Sequence, residues 1–204
     1  MSLRHSLSRF ALLGLFSLLA ACSVLPEAET LRIFLLPTAP VEPQASEPTR
    51  QQALRINTPQ ASRILASQRI AVVPQGNEIS AYGGARWSDA APVLLRDRLI
   101  EGFQRDGRMP SVSNEDANLY ADYSLHSDLR AFQSVYVDGK PVVLITLDTR
   151  LVEVNTQRTL ANRRFEVRQP ASDTGIEQVV EAFGKASDRL SREVVDWTLA
   201  NTQQ

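Results

Sequence analysis

The strongest restriction on the fold of this chain is a period of two in the central part of its sequence. From Leu119 to Ala131, and again from Val143 to Leu151, apolar side chains alternate with polar ones, and Asp138-Gly139 lies between the two stretches. A third alternating stretch, from Ala161 to Val167, follows a turn at residues 155–158. Alternation predicts half-buried strands, and Asp-Gly is typical of a tight hairpin turn. We therefore expect a three-stranded antiparallel meander with one apolar face.

A first amphipathic helix is expected from about Ser88 to Asp106. Ser88 is the expected N-cap, with Asp89 in the first turn, and Pro92 lies early enough to be tolerated. Helical spacing then places three apolar side chains on one stripe, with four charged residues largely outside it: Leu95, Leu99 and Phe103 against Arg96, Asp97, Arg98 and Glu101.

A second amphipathic helix is expected near the C-terminus. Thr174-Gly175-Ile176-Glu177 has the spacing of a capping box, and the helix is expected to run to about Leu199. One of its faces is apolar and comprises Ile176, Val179, Val180, Phe183, Leu190, Val194 and Trp197.

Shorter apolar runs complete the predicted sheet. Strands are expected at residues 30–37, 53–57, 69–74 and 78–82, the last of them broken by Gly83-Gly84, and residues 60–67 are expected to add a helical turn. Residues 38–50 hold three prolines among polar residues, which predicts an extended surface excursion. Because an apolar sheet face needs a cover, we expect an α+β fold, a two-layer α/β arrangement in which two helices cover a mainly antiparallel sheet.

The N-terminus has the pattern of a bacterial lipoprotein signal. Arg4 and Arg9 precede an apolar run from Phe10 to Leu19 that is too short to span a bilayer comfortably, and Leu19-Ala20-Ala21-Cys22 follows. We expect residues 1–21 to be a signal peptide, Cys22 to be the lipidation site and residues 22–29 to be a tether to a single domain at 30–204. The alternative is a buried cysteine that ends an uncleaved anchor.

Lipidation would fix the location of the mature chain. A diacylglycerol on the thiol and an acyl chain such as palmitate on the amino group would together anchor it durably in a membrane. Ser23 follows the cysteine, where aspartate would favour retention in the inner membrane. We therefore expect the outer membrane, on its periplasmic side, with inner-membrane retention as the alternative.

Composition argues against several classes of function. The leader holds two of the 22 basic residues and none of the 23 acidic ones, so the mature chain has a formal charge of −3, which gives no footprint for nucleic acid. Cys22 is the only cysteine, so neither a disulfide within the chain nor a structural zinc site is expected. The pattern GxxxxGK[ST] of a phosphate-binding loop does not occur in the sequence.

The single histidine of the mature chain, His126, is expected to be a solvated strand residue rather than a catalytic base. It lies between Ser124 and Asp128 on the polar side of the predicted strand, where residues two apart project about 7 Å from one another. That spacing predicts that adjacent members do not hydrogen-bond as a catalytic triad does. We expect no enzyme activity, no cofactor and no metal.

The segment from Tyr82 to Trp87 is the predicted place of contact with a partner or lipid. Tyr82, Gly83, Gly84 and Trp87 combine flexible backbone with aromatic side chains, which is common in contact surfaces. The alternative is that both aromatic side chains cover the sheet and a helix end.

Several stretches between Thr30 and Trp197 together resemble a known family. They are the leucine-rich strand ending in Pro37, Arg69-Ile70-Ala71-Val72, Ala81-Tyr82 leading to Arg86-Trp87-Ser88-Asp89, Ala121-Asp122-Tyr123-Ser124-Leu125, Leu147-Asp148-Thr149-Arg150-Leu151-Val152, Ala161-Asn162-Arg163-Arg164-Phe165-Glu166 and Val195-Asp196-Trp197. In this order, behind a lipoprotein signal, the chain resembles the ABC-type transport auxiliary lipoproteins, which include paraquat-inducible protein C. Phe34 stands where that family usually has tyrosine.

The resemblance implies a non-catalytic lipoprotein that faces the periplasm. It would act beside an ABC permease, an ATPase and a mammalian-cell-entry-type substrate-binding protein in moving lipids between membranes, docking this machinery at the outer membrane, with a homo-oligomer as one arrangement. The implied fold looks like the N-terminal domain of the Tol-system β-propeller protein. The alternative is an assembly or structural lipoprotein of the outer membrane without any link to an ABC system.

Overall fold

The computed structural model describes residues 30–38 and 51–202. The predicted signal peptide, Cys22, the tether and almost all of the proline-rich excursion lie outside the described residues. Within them, nine strands form one sheet: β1 (Arg32–Phe34), β2 (Ala53–Ile56), β3 (Gln60–Ala61), β4 (Arg69–Gln75), β5 (Glu78–Trp87), β6 (Ser111–Asn114), β7 (Tyr123–Val137), β8 (Lys140–Glu153) and β9 (Arg158–Pro170). Two helices accompany it, α1 (Ala91–Asp106) and α2 (Ile176–Asn201).

The sheet is organised around β7. One edge of β7 pairs with β8, which pairs with β9, and these long pairings are antiparallel. The other edge pairs in parallel with three short strands in turn: β2 at residues 123–125, β3 at 128–129 and β4 at 133–135. β6 lies beyond β2, whereas β5 and then β1 lie beyond β4. The fold is therefore α+β as expected, with a mixed sheet.

The predicted meander is confirmed, and its strands are longer than expected. The left-handed Asp138 (φ 50°) and Gly139 (φ 75°) turn the chain between β7 and β8, as a two-residue hairpin of this type requires. A register shift between Leu129 and Ala131 changes which residues of β7 face the core. Beyond the shift the core-facing positions move by one residue, so that Phe132 faces the core, and the regular alternation in the sequence therefore ends at Ala131.

One prediction about a strand end is wrong. Gly83-Gly84 does not break the strand, because β5 continues through both glycines to Trp87. The helical turn expected in residues 60–67 is present, closed by an i,i+4 hydrogen bond from Ala66 N to Ser62 O (2.8 Å), but it is preceded by β3, which was not expected.

Both helices have the predicted extent to within three residues, but their predicted caps are wrong. α1 begins after Ala90, and Ser88 N instead donates to Phe34 O at 2.8 Å, which ties the chain to β1. α2 begins after Gly175 with no side-chain hydrogen bond at its cap, so the capping box does not form. A sheet that already fixes the entry of each helix makes a local cap dispensable.

The helices pack on one face of the sheet and form the core with it. The predicted stripes are buried there, and an aromatic cluster lies at the centre: Trp87 packs edge-on against Phe183 (ring centroids 5.2 Å apart) and Phe132 (6.1 Å). Such pairs add about 0.5–1.5 kcal/mol each beyond their burial. We call the helix-covered side of the sheet the inner face and the opposite side the outer face.

Arg96 and Arg98 depart from the predicted helix pattern. Both guanidinium groups are buried, at 9% and 4% exposure, although the sequence places them outside the apolar stripe. Arg98 is covered by α2 and by the residues that follow β1. Arg96 is covered from another side, by Thr58 after β2 and by Glu115 after β6.

Candidate interaction surface

The predicted contact residues lie on β5, next to the edge strand β1. β1 pairs with β5 in parallel, with Ile33 opposite Arg86 and Phe34 opposite Trp87. Opposite residues share a sheet face, so Phe34 and Trp87 are on the inner face and Ile33 and Arg86 are on the outer face. The two faces of this corner of the sheet consequently have different roles.

Trp87 is a core residue. Its side chain is 0% exposed and packs between the aromatic rings of β7 and α2. It cannot touch a partner directly, and any role at a surface is to hold the end of β5 in place.

Tyr82 is half-buried on the inner face. Its hydroxyl lies 2.8 Å from Ser134 Oγ, and its ring packs on the core. Burial raises the pKa of Tyr82 to about 12, although the hydrogen bond with Ser134 opposes that rise. Tyr82 thus anchors β5 to β7 and offers only part of its ring to solvent.

The two glycines lie in a large β-bulge of β5. Between the pairs Arg69–Arg86 and Ala71–Ala81, four residues of β5 lie opposite Ile70 alone. Gly84 has φ 61°, a conformation that strains other residues, whereas a Cβ at the exposed Gly83 would meet nothing within 4 Å. The bulge interrupts the pairing of β5 with β4, which resumes at Arg86, and β1 pairs with the other edge of β5 from Ala85 to Trp87.

An exposed apolar stripe lies beside this bulge and was missed by the sequence analysis. Leu31, Ile33 and Leu35 project from the outer face of β1 and its flanks, with exposures of 48%, 58% and 75%. Because every residue from Leu31 to Leu36 except Arg32 is apolar, the sequence gives no sign of which alternate set is buried. In the structure Phe34 and Leu36 pack on the core, so the alternate side chains face away from it and are exposed on the edge strand β1.

A buried ion pair holds the C-terminal end of this stripe, and we call it the Arg98 clamp. The Arg98 guanidinium pairs with Asp188 of α2, which is 8% exposed, and it donates to Leu36 O (3.0 Å) and Pro37 O (2.7 Å). Glu101 lies 3.2 Å from Arg98 Nε. One side chain therefore joins α1, α2 and the segment after β1.

Two further contacts keep β1 against the helices. Arg32 Nη2 lies 2.6 Å from Glu177 Oε1 at the start of α2, and this pair lowers the pKa of Glu177. Gly184 of α2 lets Pro37 approach so closely that a Cβ there would lie 2.7 Å from Pro37 O. The stripe is thus presented on a strand that is held at both ends.

His126 makes a contact that the strand spacing did not predict. Its ring nitrogen Nε2 lies 3.1 Å from Ser124 Oγ, because the two side chains lean towards one another on the outer face, so the expectation that these residues cannot hydrogen-bond was wrong. Burial lowers the pKa of His126, and nearby Arg150 and Arg55 lower it further. The Asp128 carboxylate instead lies 3.6 Å from Arg150 Nη2. Ser124, His126 and Asp128 therefore do not form a triad.

Charged side chains cover the outer face of the meander. Asp148 accepts from Arg164 (2.8 Å, Nη2 to Oδ2) and from Arg130 (3.0 Å, Nε to Oδ2), and the Arg164 hydrogen bond is the main cause that lowers the pKa of Asp148 to about 2. These partly exposed pairs add little stability. They do keep this part of the sheet well solvated, in contrast to the stripe on β1.

A groove of about 310 Å³ lies between α1 and α2. It is lined mainly by charged side chains, among them Arg105, Arg108, Asp196 and the Arg98 clamp. Arg108 pairs with Asp106 and Asp196, each at 2.7 Å, and Arg105 pairs with Glu101. Arg98, Arg105 and Arg108 in this groove thus already have carboxylate partners.

Two general observations bear on function. Residues 30–38 and 51–202 contain no group of three or more His, Cys, Asp or Glu side chains that could hold a metal ion. No helix in this part of the chain is long and apolar enough to cross a membrane.

The chain matches one protein family over most of its length. The family described as ABC-type transport auxiliary lipoprotein component matches residues 34–195. An uncharacterised protein of Bradyrhizobium diazoefficiens is 30% identical over 152 residues, which are 74% of this chain and 40% of that protein. The chain therefore spans about two fifths of the length of this curated relative.

Solved structures with the same fold support the match. A crystal structure of a Xanthomonas campestris protein is 33% identical, has a TM-score of 0.77 and covers 84% of this chain and 97% of its own. A second, uncharacterised crystal structure is 16% identical with a TM-score of 0.66, and it covers 82% of this chain and 98% of its own. The second likeness concerns the fold alone.

Proposed function

Since this chain belongs to the family of ABC-type transport auxiliary lipoprotein components, we propose that it is a non-catalytic accessory component of a mammalian-cell-entry-type lipid transport system. In this proposal it docks the machinery at the outer membrane from the periplasmic side. Its partners are a mammalian-cell-entry-type substrate-binding protein and the ABC permease and ATPase. The observation that carries the proposal is the family match over residues 34–195 behind a lipoprotein signal that ends at Cys22.

The contacts of β1 support a docking role, because an anchored adaptor must connect its anchor firmly to its folded part. A chain that leaves Cys22 reaches β1 as the first strand of the sheet. β1 is held by its pairing with β5, by the Arg32–Glu177 pair and by the Arg98 clamp. A load on the anchor would thus be shared by the sheet and both helices.

The surroundings of His126 support a non-catalytic role. A hydrolase would need a base oriented by a third group, whereas Asp128 pairs with arginines on the outer face. The predicted contact segment reaches solvent at the bulge, where Gly83 is exposed, and Tyr82 and Trp87 support it from the inner face as a place of contact with a partner or lipid.

Purification from membranes tests the proposal. Full-length chain is extracted from separated inner and outer membranes, the mass of its N-terminus is measured, and cross-linked proteins are identified. We expect an acylated Cys22 in the outer-membrane fraction together with a mammalian-cell-entry-type protein. Cys22→Ser is the control, which should leave the outer membrane and lose that partner.

Two outcomes would contradict the proposal. An acylated chain that cross-links only to outer-membrane assembly proteins would favour the assembly lipoprotein. An unmodified N-terminus in the native membrane would remove the anchor on which docking depends.

A further inference from the structure

We infer that the outer face of β1 lies on the lipid bilayer, with the apolar stripe at the boundary between headgroups and acyl chains. The inference goes beyond the proposed function, since it assigns a lipid-contacting surface to the folded part of the chain. It rests on the proposed function in one respect, the acyl anchor at Cys22.

Apolar exposure is the first reason. Leu31, Ile33 and Leu35 are three large aliphatic side chains on one face of one short segment, and the most exposed of them is 75% accessible. Single exposed aliphatic residues are common, but a continuous row at an edge marks a contact surface. Because the clamp and the Arg32–Glu177 pair hold β1 in place, the row is presented without a large ordering cost on binding.

The charges beside the stripe are the second reason. Ile33 pairs with Arg86, and Arg86 pairs with Arg69, so the two arginines continue the row across the outer face of three strands. Within the described part of the chain neither guanidinium has an ion-pair partner, and Arg86 Nε is buried without a hydrogen bond. An apolar row flanked by arginines matches the layered chemistry of a bilayer surface, where acyl chains adjoin phosphates.

The position of the stripe along the chain is the third reason. Leu31 follows Cys22 by nine residues, which span at most about 30 Å when fully extended. A short tether gives the stripe a high effective concentration at the membrane, so a weak interfacial contact is sufficient.

The same charges argue against a second copy of this chain on the same face. A two-fold contact places the same patch of both copies together, so Arg69 and Arg86 of one copy would meet their equivalents. Like charges in that position oppose association, whereas lipid phosphates neutralise them.

A depth-quenching experiment tests the contact. Full-length acylated chain carrying Ile33→Cys is labelled with the fluorophore NBD and placed in vesicles of phosphatidylethanolamine and phosphatidylglycerol. Native Cys22 is the only other cysteine, and its thiol is blocked by the acyl anchor. The matched control is Leu119→Cys, since Leu119 is another exposed aliphatic residue (59%) and lies in the loop after β6, the strand at the other end of the order β1-β5-β4-β7-β2-β6.

We expect doxyl-labelled lipid to remove more than about half of the emission at position 33 and little at position 119, as an interfacial side chain requires. Equal quenching at both positions would overturn the inference. Emission at position 33 that changes with the protein-to-lipid ratio and not with the amount of doxyl-labelled lipid would also overturn the inference, because a second copy of the chain would then cover the stripe.

The intact mass of the same sample separates this inference from the proposed function. An acylated chain without quenching at position 33 would refute the membrane contact alone. An unacylated Cys22 would refute the anchor, and with it the premise of both. Replacing Arg69 and Arg86 by glutamine should reduce quenching at position 33 in the anionic vesicles, and unchanged quenching would refute the role of the arginines.

Discussion

Removing the carboxylate of the Arg98 clamp should destabilise the whole domain. In Asp188→Ala the Arg98 guanidinium, 4% exposed, loses its buried partner and keeps only Glu101 and two carbonyl groups. Breaking a buried pair from one side costs about 3–5 kcal/mol, and we expect about 3 kcal/mol because Glu101 remains. For a domain of this size that is a fall in Tm of about 6–12 °C.

Thermal unfolding followed by far-UV circular dichroism measures this change in the full-length chain in mild detergent. The matched control is Glu181→Ala, also on α2, where a carboxylate pairs with Lys185 and both side chains are more than half exposed. That pair contributes less than about 0.5 kcal/mol. The reasoning is refuted when Asp188→Ala melts within one or two degrees, roughly, of Glu181→Ala.

A double substitution separates the charge from the fold. Arg98→Met with Asp188→Leu replaces the pair by apolar side chains, and global stability should recover most of the loss. Leu36 O and Pro37 O, which keep the Arg98 donor in Asp188→Ala, would lose it in the double variant, so hydrogen exchange should accelerate at residues 31–38 alone. A double variant no more stable than Asp188→Ala would show that packing, and not an unpaired buried charge, sets the cost.

Three further outcomes follow from the structure. Gly184→Ala should lower stability by about 1–3 kcal/mol because its Cβ would meet Pro37 O, although helix propensity alone favours alanine by about 1 kcal/mol. The control in the same melting assay is Gly83→Ala, which has open space around its Cβ, and a stabilised Gly184→Ala would contradict the contact. In an alkaline titration followed by tyrosinate absorbance, one tyrosine should ionise only near pH 12, and this late step should be absent in Tyr82→Phe. Since the pKa of Tyr82 is raised in the folded state, stability should be lost as pH rises from about 10 to 12. A titration without the late step would refute the assignment. Because the pKa of His126 is lowered in the folded state, the free energy of unfolding should fall as pH drops below about 6.5. His126→Asn should reduce the dependence of Tm on pH in this range and leave co-purification of the transport partner unchanged. Loss of the partner would indicate a function for this ring.

The long elements could be predicted because their patterns are local. Alternation along β7, β8 and β9 and the helical stripe of α2 each repeat several times, so one misread residue does not change the outcome. The short parallel strands β2, β3 and β4 are different, since each pairs with β7 across a long stretch of sequence. The apolar runs of β2 and β4 predicted strands, whereas β3 was not expected, and nothing in these runs indicated the order or direction of pairing.

The helix caps and the bulge show where local signals lose to the tertiary structure. Ser88 and Thr174 have the chemistry of N-caps, yet the helices begin after Ala90 and Gly175 without a side-chain cap, because burial of their apolar stripes stabilises them. Gly83-Gly84 has the composition of a strand break and instead lies within β5, because a glycine with positive φ can belong to a bulge while pairing continues on both sides.

The predicted contact residues lie next to an exposed apolar row, and not all of them are at the surface. The segment from Tyr82 to Trp87 does border an exposed apolar row, but Trp87 is in the core and the exposed side chains are those of β1. Isoleucine is fully buried more often than tryptophan, so composition could not show that Ile33 is exposed and Trp87 buried. Only the edge position of β1 did so.

By itself, the sequence determined the α+β class, the meander, the extent of both helices and the family of this protein, because each depends on order along the chain. The expectation of an anchor at Cys22 comes from the same source. The tertiary structure alone decided that Arg98 and Asp188 would meet in a buried clamp and that Leu31, Ile33 and Leu35 would remain exposed. Burial depends on which elements lie above and beside a residue, and those neighbours come from parts of the chain up to about 150 residues away, at a distance that no local pattern records.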